Sequence, residues 1–210
     1  MRQGKRGLFV TIEGIEGAGK TTLASALERR LVDRGLAVVV TREPGGTPLA
    51  EKLRDAVLAR GNESISPVAE TLLMFAARAV HLDNRIRPAL ARGSVVICDR
   101  FTDATRAYQG AGRAVASELI ERLAAAVHGD LQPDITFLLD LPVAEGLARS
   151  RRRGSDTDRF EEESIAFFER VRSRYRALAE QEPQRFVILS ATADPDQLAQ
   201  SAWAALQARL

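Results

Sequence analysis

Residues 14–21 read Gly14-Ile15-Glu16-Gly17-Ala18-Gly19-Lys20-Thr21, which fits G-x-x-x-x-G-K-[ST]. The octet follows a short apolar run, 8–12, and leads into Thr22-Leu23-Ala24-Ser25-Ala26-Leu27, a stretch with helical composition. Strand, glycine-rich turn and helix N-terminus are the parts of a phosphate-binding loop. Glycine lets the backbone take φ > 0 and come close to a phosphate. Lys20 stands where it reaches β/γ-phosphate oxygens, and the Thr21 hydroxyl can ligate Mg²⁺. Gly14, Ile15, Glu16, Gly17, Ala18, Gly19, Lys20, Thr21 and Thr22 are therefore expected to hold a nucleoside triphosphate. The chain carries no Asn-Lys-x-Asp guanine motif and no second lysine inside the loop. Both absences favour a kinase over a GTPase or a partitioning ATPase.

Beyond the loop, short Val/Ile/Leu-rich runs recur at 8–12, 37–41, 95–98, 135–139 and 186–189. They alternate little, as strands covered on both faces do. Helical patterns separate them: 20–34, 48–59, 67–92, 117–127, 143–153, 162–181 and 195–209. This order predicts an α/β chain of the P-loop type, a five-stranded parallel sheet between two helical layers, with the charged stretch 151–158 as a mobile excursion between two helices. Right-handed crossovers put the strand C-terminal ends on one edge, where ligands belong. The length of 210 residues fits a single domain over 1–210. Apolar content of 45% and charged content of 28% are ordinary for a globular chain, and a net charge of +2 argues against a nucleic-acid partner. The basic start precedes an apolar run too short for a signal peptide, and no stretch approaches the roughly 18 apolar residues of a membrane span. One cysteine, Cys98, fits a reducing compartment and a buried thiol, so a cytoplasmic location is expected.

Charged and glycine-rich segments follow the first three strands. After the second comes Arg42-Glu43-Pro44-Gly45-Gly46-Thr47, a turn by composition, with Arg54 two helical turns behind it. Arg54 either faces a second phosphate or is surface charge. After the third comes Asp99-Arg100. A carboxylate there suits Mg²⁺ or a hydroxyl partner, and the guanidinium suits a phosphate; a structural ion pair is the competing reading. If 101–110 is helical, Thr105 and Gln109 share a face and can read the edge of a heterocycle. Phe75 and Arg78 are i, i+3 neighbours that pair a ring to stack with a cation to hydrogen-bond; otherwise Phe75 is core and Arg78 surface.

Taken together, the segments 14–22, 41–54, 72–78, 98–113 and 149–161 resemble the thymidylate (dTMP) kinase family, in order and at family-like spacing. The resemblance implies phosphoryl transfer from ATP to dTMP with Mg²⁺ held by Thr21 and Asp99. It implies that Lys20 and the loop amides hold ATP, and that Glu16 lies near the acceptor's 3′-hydroxyl. It further implies that Arg54 and Arg100 grip the acceptor phosphate, and that Arg78, Thr105 and Gln109 read thymine. Tyr108 would pack against the deoxyribose, and 190–193 would cradle adenine. Arginines of a lid at about 149–160 would close over ATP. Arg149 and Arg153, at i, i+4, share a helix face and would neutralise the γ-phosphoryl group, because the loop itself carries no arginine. A homodimer is implied too: the apolar helices near 67–82 and 115–127 either form its face or are core. Two departures stand out. The family often places a stacking Phe four residues before the Arg; Met74 occupies that position here, with Phe75 adjacent. Arg106 falls where the family is usually neutral and reads as a solvated helix face.

Overall fold

The computed structural model describes residues 6–59, 64–152, 160 and 163–210. Five strands, β1 (Phe9–Glu13), β2 (Val38–Arg42), β3 (Val95–Asp99), β4 (Ile135–Asp140) and β5 (Phe186–Ser190), form one sheet in the order β2-β3-β1-β4-β5. Every pairing is parallel. Neighbouring strands β1 and β3 send their connections in opposite directions, which opens a crevice at their C-terminal ends.

Both faces of β1 are buried, so Phe9, Val10 and Ile12 are apolar, and the polar Thr11 and Glu13 are buried with partners of their own. Val10 and Ile12 pack with Ile97 and with Leu23, Leu27 and Leu31 of helix α1 (Lys20–Val32). Phe9 instead joins Val96, Cys98, Phe101, Leu82 and Ile86 on the opposite side. Both faces are covered, so polar alternation would leave a buried charge on one of them. Burial of each such leucine contributes about 1.5–3 kcal/mol. The remaining helices are α2 (Pro48–Leu58), α3 (Pro67–His81), α4 (Arg87–Ala91), α5 (Thr102–Thr105), α6 (Ser117–Val127), α7 (Val143–Arg152), α8 (Ile165–Gln181) and α9 (Pro195–Gln207).

The helix expected across 67–92 is interrupted. A π turn, Leu82–Ile86, joins α3 to α4, with Arg87 N bonded to Leu82 O. Pro88 gives the reason: it has no N–H for the carbonyl four residues back and its ring would strike it, which the wider turn relieves. A second π turn, Arg106–Gly112, continues α5, so the helix expected at 101–110 is only partly α. Its wider pitch buries Ala107, Tyr108 and Gln109 in succession. Gly112 permits this packing: a Cβ there would lie 2.5 Å from Phe167 Cε2. Arg106 is not a solvated face. It forms two 2.8 Å bonds to Glu121 and one of 3.0 Å to Asp103, which is itself held by Arg185 at 2.6 Å. Cys98 is fully buried, and burial pushes its thiol pKa well up.

Candidate active site

The loop after β1 has the expected build. Gly17 has φ 75°, and a Cβ on it would lie 2.1 Å from Gly146 O at the start of α7, so no larger residue fits. Gly19, with φ 92°, caps α1 without a side-chain hydrogen bond, and the first turn of α1 carries no acid. By contrast Thr47, Ser66, Ser164 and Asp194 each cap their helices by side chain. The uncapped N–H groups of α1 and its dipole therefore favour an anion. Lys20 folds over the loop, donating to Gly14 O at 3.2 Å and Ile15 O at 3.1 Å. Burial, reinforced by Arg100, lowers its pKa to about 8.

Thr21 and Asp99 line one cavity beside the loop, together with Arg42, Gly46, Thr47 and Arg85. Asp99 Oδ1 is buried and has no hydrogen-bond partner among the described residues. An orphaned carboxylate oxygen close to a helix-start hydroxyl is a hard donor set that fits Mg²⁺.

A second pocket adjoins the loop. Glu16, Arg54, Met74, Arg78, Arg100, Thr105, Tyr108 and Gln109 all line it. Arg100 Nη2 donates to Glu16 Oε1 at 2.8 Å and to Tyr108 Oη at 2.9 Å, which joins the loop to the pocket. The Tyr108 hydroxyl also donates to Glu16, and its ring packs edge-on against Phe160, Phe167 and Tyr175. Arg54 reaches in from α2 and donates to Pro44 O at 2.9 Å.

Arg78 is the best-fixed cation of this pocket. Its Nε donates to Glu43 Oε2 at 2.6 Å, and its Nη2 donates to Phe101 O and Thr105 Oγ1, each at 3.1 Å. Nη1 is buried and has no partner among the described residues. Glu43 also bonds His81 at 3.0 Å, and His81 bonds Thr41 at 2.7 Å. Gly46 packs against this chain so closely that a Cβ would meet His81 Nε2 at 2.4 Å. Burial alone would raise the Glu43 pKa, yet Arg78 and His81 together hold it below the usual value. Thr105 accepts from Arg78 and keeps its own proton to donate. Gln109 spends Nε2 on Glu70 at 2.8 Å, which leaves its carbonyl oxygen.

Phe75 is placed otherwise than expected, and Arg149 has partners that the sequence did not show. Phe75 does not line the pocket. Its ring lies in a core patch with Val115, Ile120 and Ala124, stacked by the Arg78 guanidinium at 4.7 Å, while Met74 faces the cavity. The helical spacing places both beside Arg78 but on opposite sides of it: Met74, four residues before, on the cavity side, and Phe75, three before, on the core side. Arg149 bonds Ala191 O at 2.9 Å and pairs with Glu145, which ties it to the segment 190–193. Arg153 and most of the expected lid lie outside the described residues. Sequence reasoning passed over Glu43, Glu13 and Glu70 as site groups. Their signal is a carboxylate at the end of a buried strand or inside an amphipathic helix, where a lone charge needs a partner.

A sequence profile for the family described as Thymidylate kinase matches residues 12–202. The chain is 57% identical to the thymidylate kinase of Pseudomonas entomophila (strain L48) over 185 residues, 88% of each chain. It is 56% identical to that of Teredinibacter turnerae (strain ATCC 39867 / T7901) over 185 residues, 88% of this chain and 90% of the relative. Among solved structures, thymidylate kinase from Ehrlichia chaffeensis superposes with a TM-score of 0.78 at 31% identity, covering 96% of this chain and 99% of that one. With the loop, the arginine-lined pocket and the sheet order all in place, this chain belongs to the thymidylate kinase family.

Proposed function

We propose that this protein catalyses ATP + dTMP → ADP + dTDP with Mg²⁺, as one kinase domain working in a cytoplasmic homodimer that supplies dTTP synthesis. The observation that carries the acceptor assignment is the pocket beside the loop. It is lined by Arg54 and Arg100, the latter bonded to the loop, and by Arg78, whose Nη1 has no partner among the described residues. A pyrimidine with a carbonyl at C4 gives that donor an acceptor; cytosine, with an amine there, does not. Thr105 and Gln109 flank the same edge, and Met74 packs against the ring. Tyr108, fixed by Glu16 and Arg100, sits where a ribose 2′-hydroxyl would crowd it.

The acceptor phosphate oxygen is already ionised, so the residues position charges rather than abstract a proton. Arg100 holds that phosphate against the loop while Lys20 and the α1 amides hold the donor. Thr21 and Asp99 would hold Mg²⁺, which when bound neutralises donor phosphate charge. We assign lid closure and γ-phosphoryl neutralisation to Arg153, and the adenine side of the donor site to Arg149, as its bond to Ala191 supports. For the dimer, α3 exposes Val68 and Leu72.

A coupled assay with ATP and a panel of nucleoside monophosphates tests the reaction. Turnover is expected with dTMP at least about tenfold above dCMP, UMP or AMP in kcat/KM. Equal turnover of dCMP would reject the Arg78 reading. Arg78→Ala is expected to weaken dTMP binding by calorimetry at least about tenfold, with ATP binding unchanged. It also removes one of the two partners of buried Glu43 and leaves His81, so stability should fall by at most about 3–5 kcal/mol. Unchanged dTMP affinity would mean that the base is read elsewhere.

A further inference from the structure

β1 ends on Glu13, a fully buried carboxylate that none of the roles above uses. Its oxygens serve two different donors. Phe101 N–H donates to Oε1 at 2.8 Å, and the Tyr175 hydroxyl of α8 donates to Oε2 at 2.8 Å. Phe101 belongs to the turn leaving β3, and the residue before it, Arg100, has φ 69°. A non-glycine residue in the left-handed region brings its Cβ against a carbonyl, so the conformation persists only where the surroundings fix it. Here they do. Arg100 N donates to Ile12 O at 3.0 Å, Cys98 Sγ donates to Arg100 O at 3.0 Å, and Glu13 holds the next N–H. From that backbone the guanidinium reaches Glu16 and Tyr108 at the mouth of the acceptor pocket.

We infer that Glu13 is a positioning residue for the acceptor phosphate, holding the 99–101 turn in the left-handed shape that aims Arg100. This rests on the kinase reading above. Burial and the nearby Asp103 raise the Glu13 pKa to about 8, against the pull of Tyr175, Phe101 and Arg100. The clamp survives protonation: a neutral carboxyl still accepts from Phe101 N–H through one oxygen and can donate to the Tyr175 oxygen through the other. A glutamine reproduces that arrangement, whereas a leucine has neither group and an aspartate is too short to span both donors.

The test is steady-state kinetics on the whole chain, with dTMP varied at saturating ATP and ATP varied at saturating dTMP, alongside thermal midpoints. Glu13→Leu is expected to raise KM for dTMP at least about tenfold and Glu13→Asp about fivefold, with KM for ATP within about twofold. Glu13→Gln should stay within about threefold of wild type for both. In an Arg100→Ala background, Glu13→Leu should add nothing further to KM for dTMP, because the residue through which it acts is gone. If Glu13→Leu does not fold, the aspartate and glutamine variants carry the same contrast. Wild-type dTMP KM in Glu13→Asp and Glu13→Leu, equal rises for both substrates, or additivity with Arg100→Ala would each overturn the clamp. A wild-type enzyme that ignores dTMP but uses another monophosphate would reject the acceptor reading alone, and the same series would then be read on that acceptor.

Discussion

Lys20→Ala lowers kcat for phosphoryl transfer at least about 10²-fold, since it removes a donor to charge that grows in the transition state. Lys20 is 7% exposed, stretched over Gly14 and Ile15, and the loop offers no second cation. The lowered pKa supplies a second signature. In the free enzyme burial and Arg100 hold Lys20 near 8, so above that pH it is largely neutral. Bound phosphates favour the charged form, so ATP binding at pH 9 takes up a proton, whereas at pH 6.5, where Lys20 is already charged, it does not. Calorimetry in buffers of different ionisation enthalpy measures that uptake. It should vanish in Lys20→Ala. Wild-type kcat in the variant, or unaltered proton uptake, would remove Lys20 from the donor site.

Much of the site was readable because its parts are local. The phosphate loop is contiguous in sequence, and its glycines are needed for backbone reasons that any reader of the chain can state. The sheet was readable from apolar runs of strand length, with errors of a residue at the ends, as at Val38–Arg42. What escaped was set by tertiary packing. The two π turns shift side chains by an extra residue per turn, and no periodicity of 3.6 announces them. Phe75 suggested a stacking ring by its type, yet its side chain packs in the core while Met74 lines the pocket. Arg106 looks solvated in isolation because its partner Glu121 lies on another helix, fifteen residues on. Glu43 and Glu13 are the plainest cases. Each looks like a polar end to a strand, yet each is a buried acceptor with a donor from a helix far along the chain.

Arg100→Ala raises KM for dTMP and lowers kcat, each about tenfold, so that kcat/KM falls on the order of 10²-fold. Both parameters move because the guanidinium does two things. In the proposed reaction it would bind the acceptor phosphate through a planar fork and align that phosphate with the donor against their mutual repulsion. Its position supports both, since Nη2 already bridges loop residue Glu16 and pocket residue Tyr108. Arg100→Lys keeps the charge but loses the fork, so it should recover KM more than kcat. The variant also tests the electrostatics of the loop from the other side. Arg100 is, after burial, the main group lowering the Lys20 pKa. Its removal should move the Lys20 titration upward, and the proton uptake on ATP binding should require a higher pH than in wild type. A loss of activity caused by misfolding would disturb ATP binding as well, and would not shift that titration in the predicted direction. If Arg100→Ala bound and turned over dTMP normally while Lys20 titrated as before, the turn after β3 would have to be given up as the link between the two pockets.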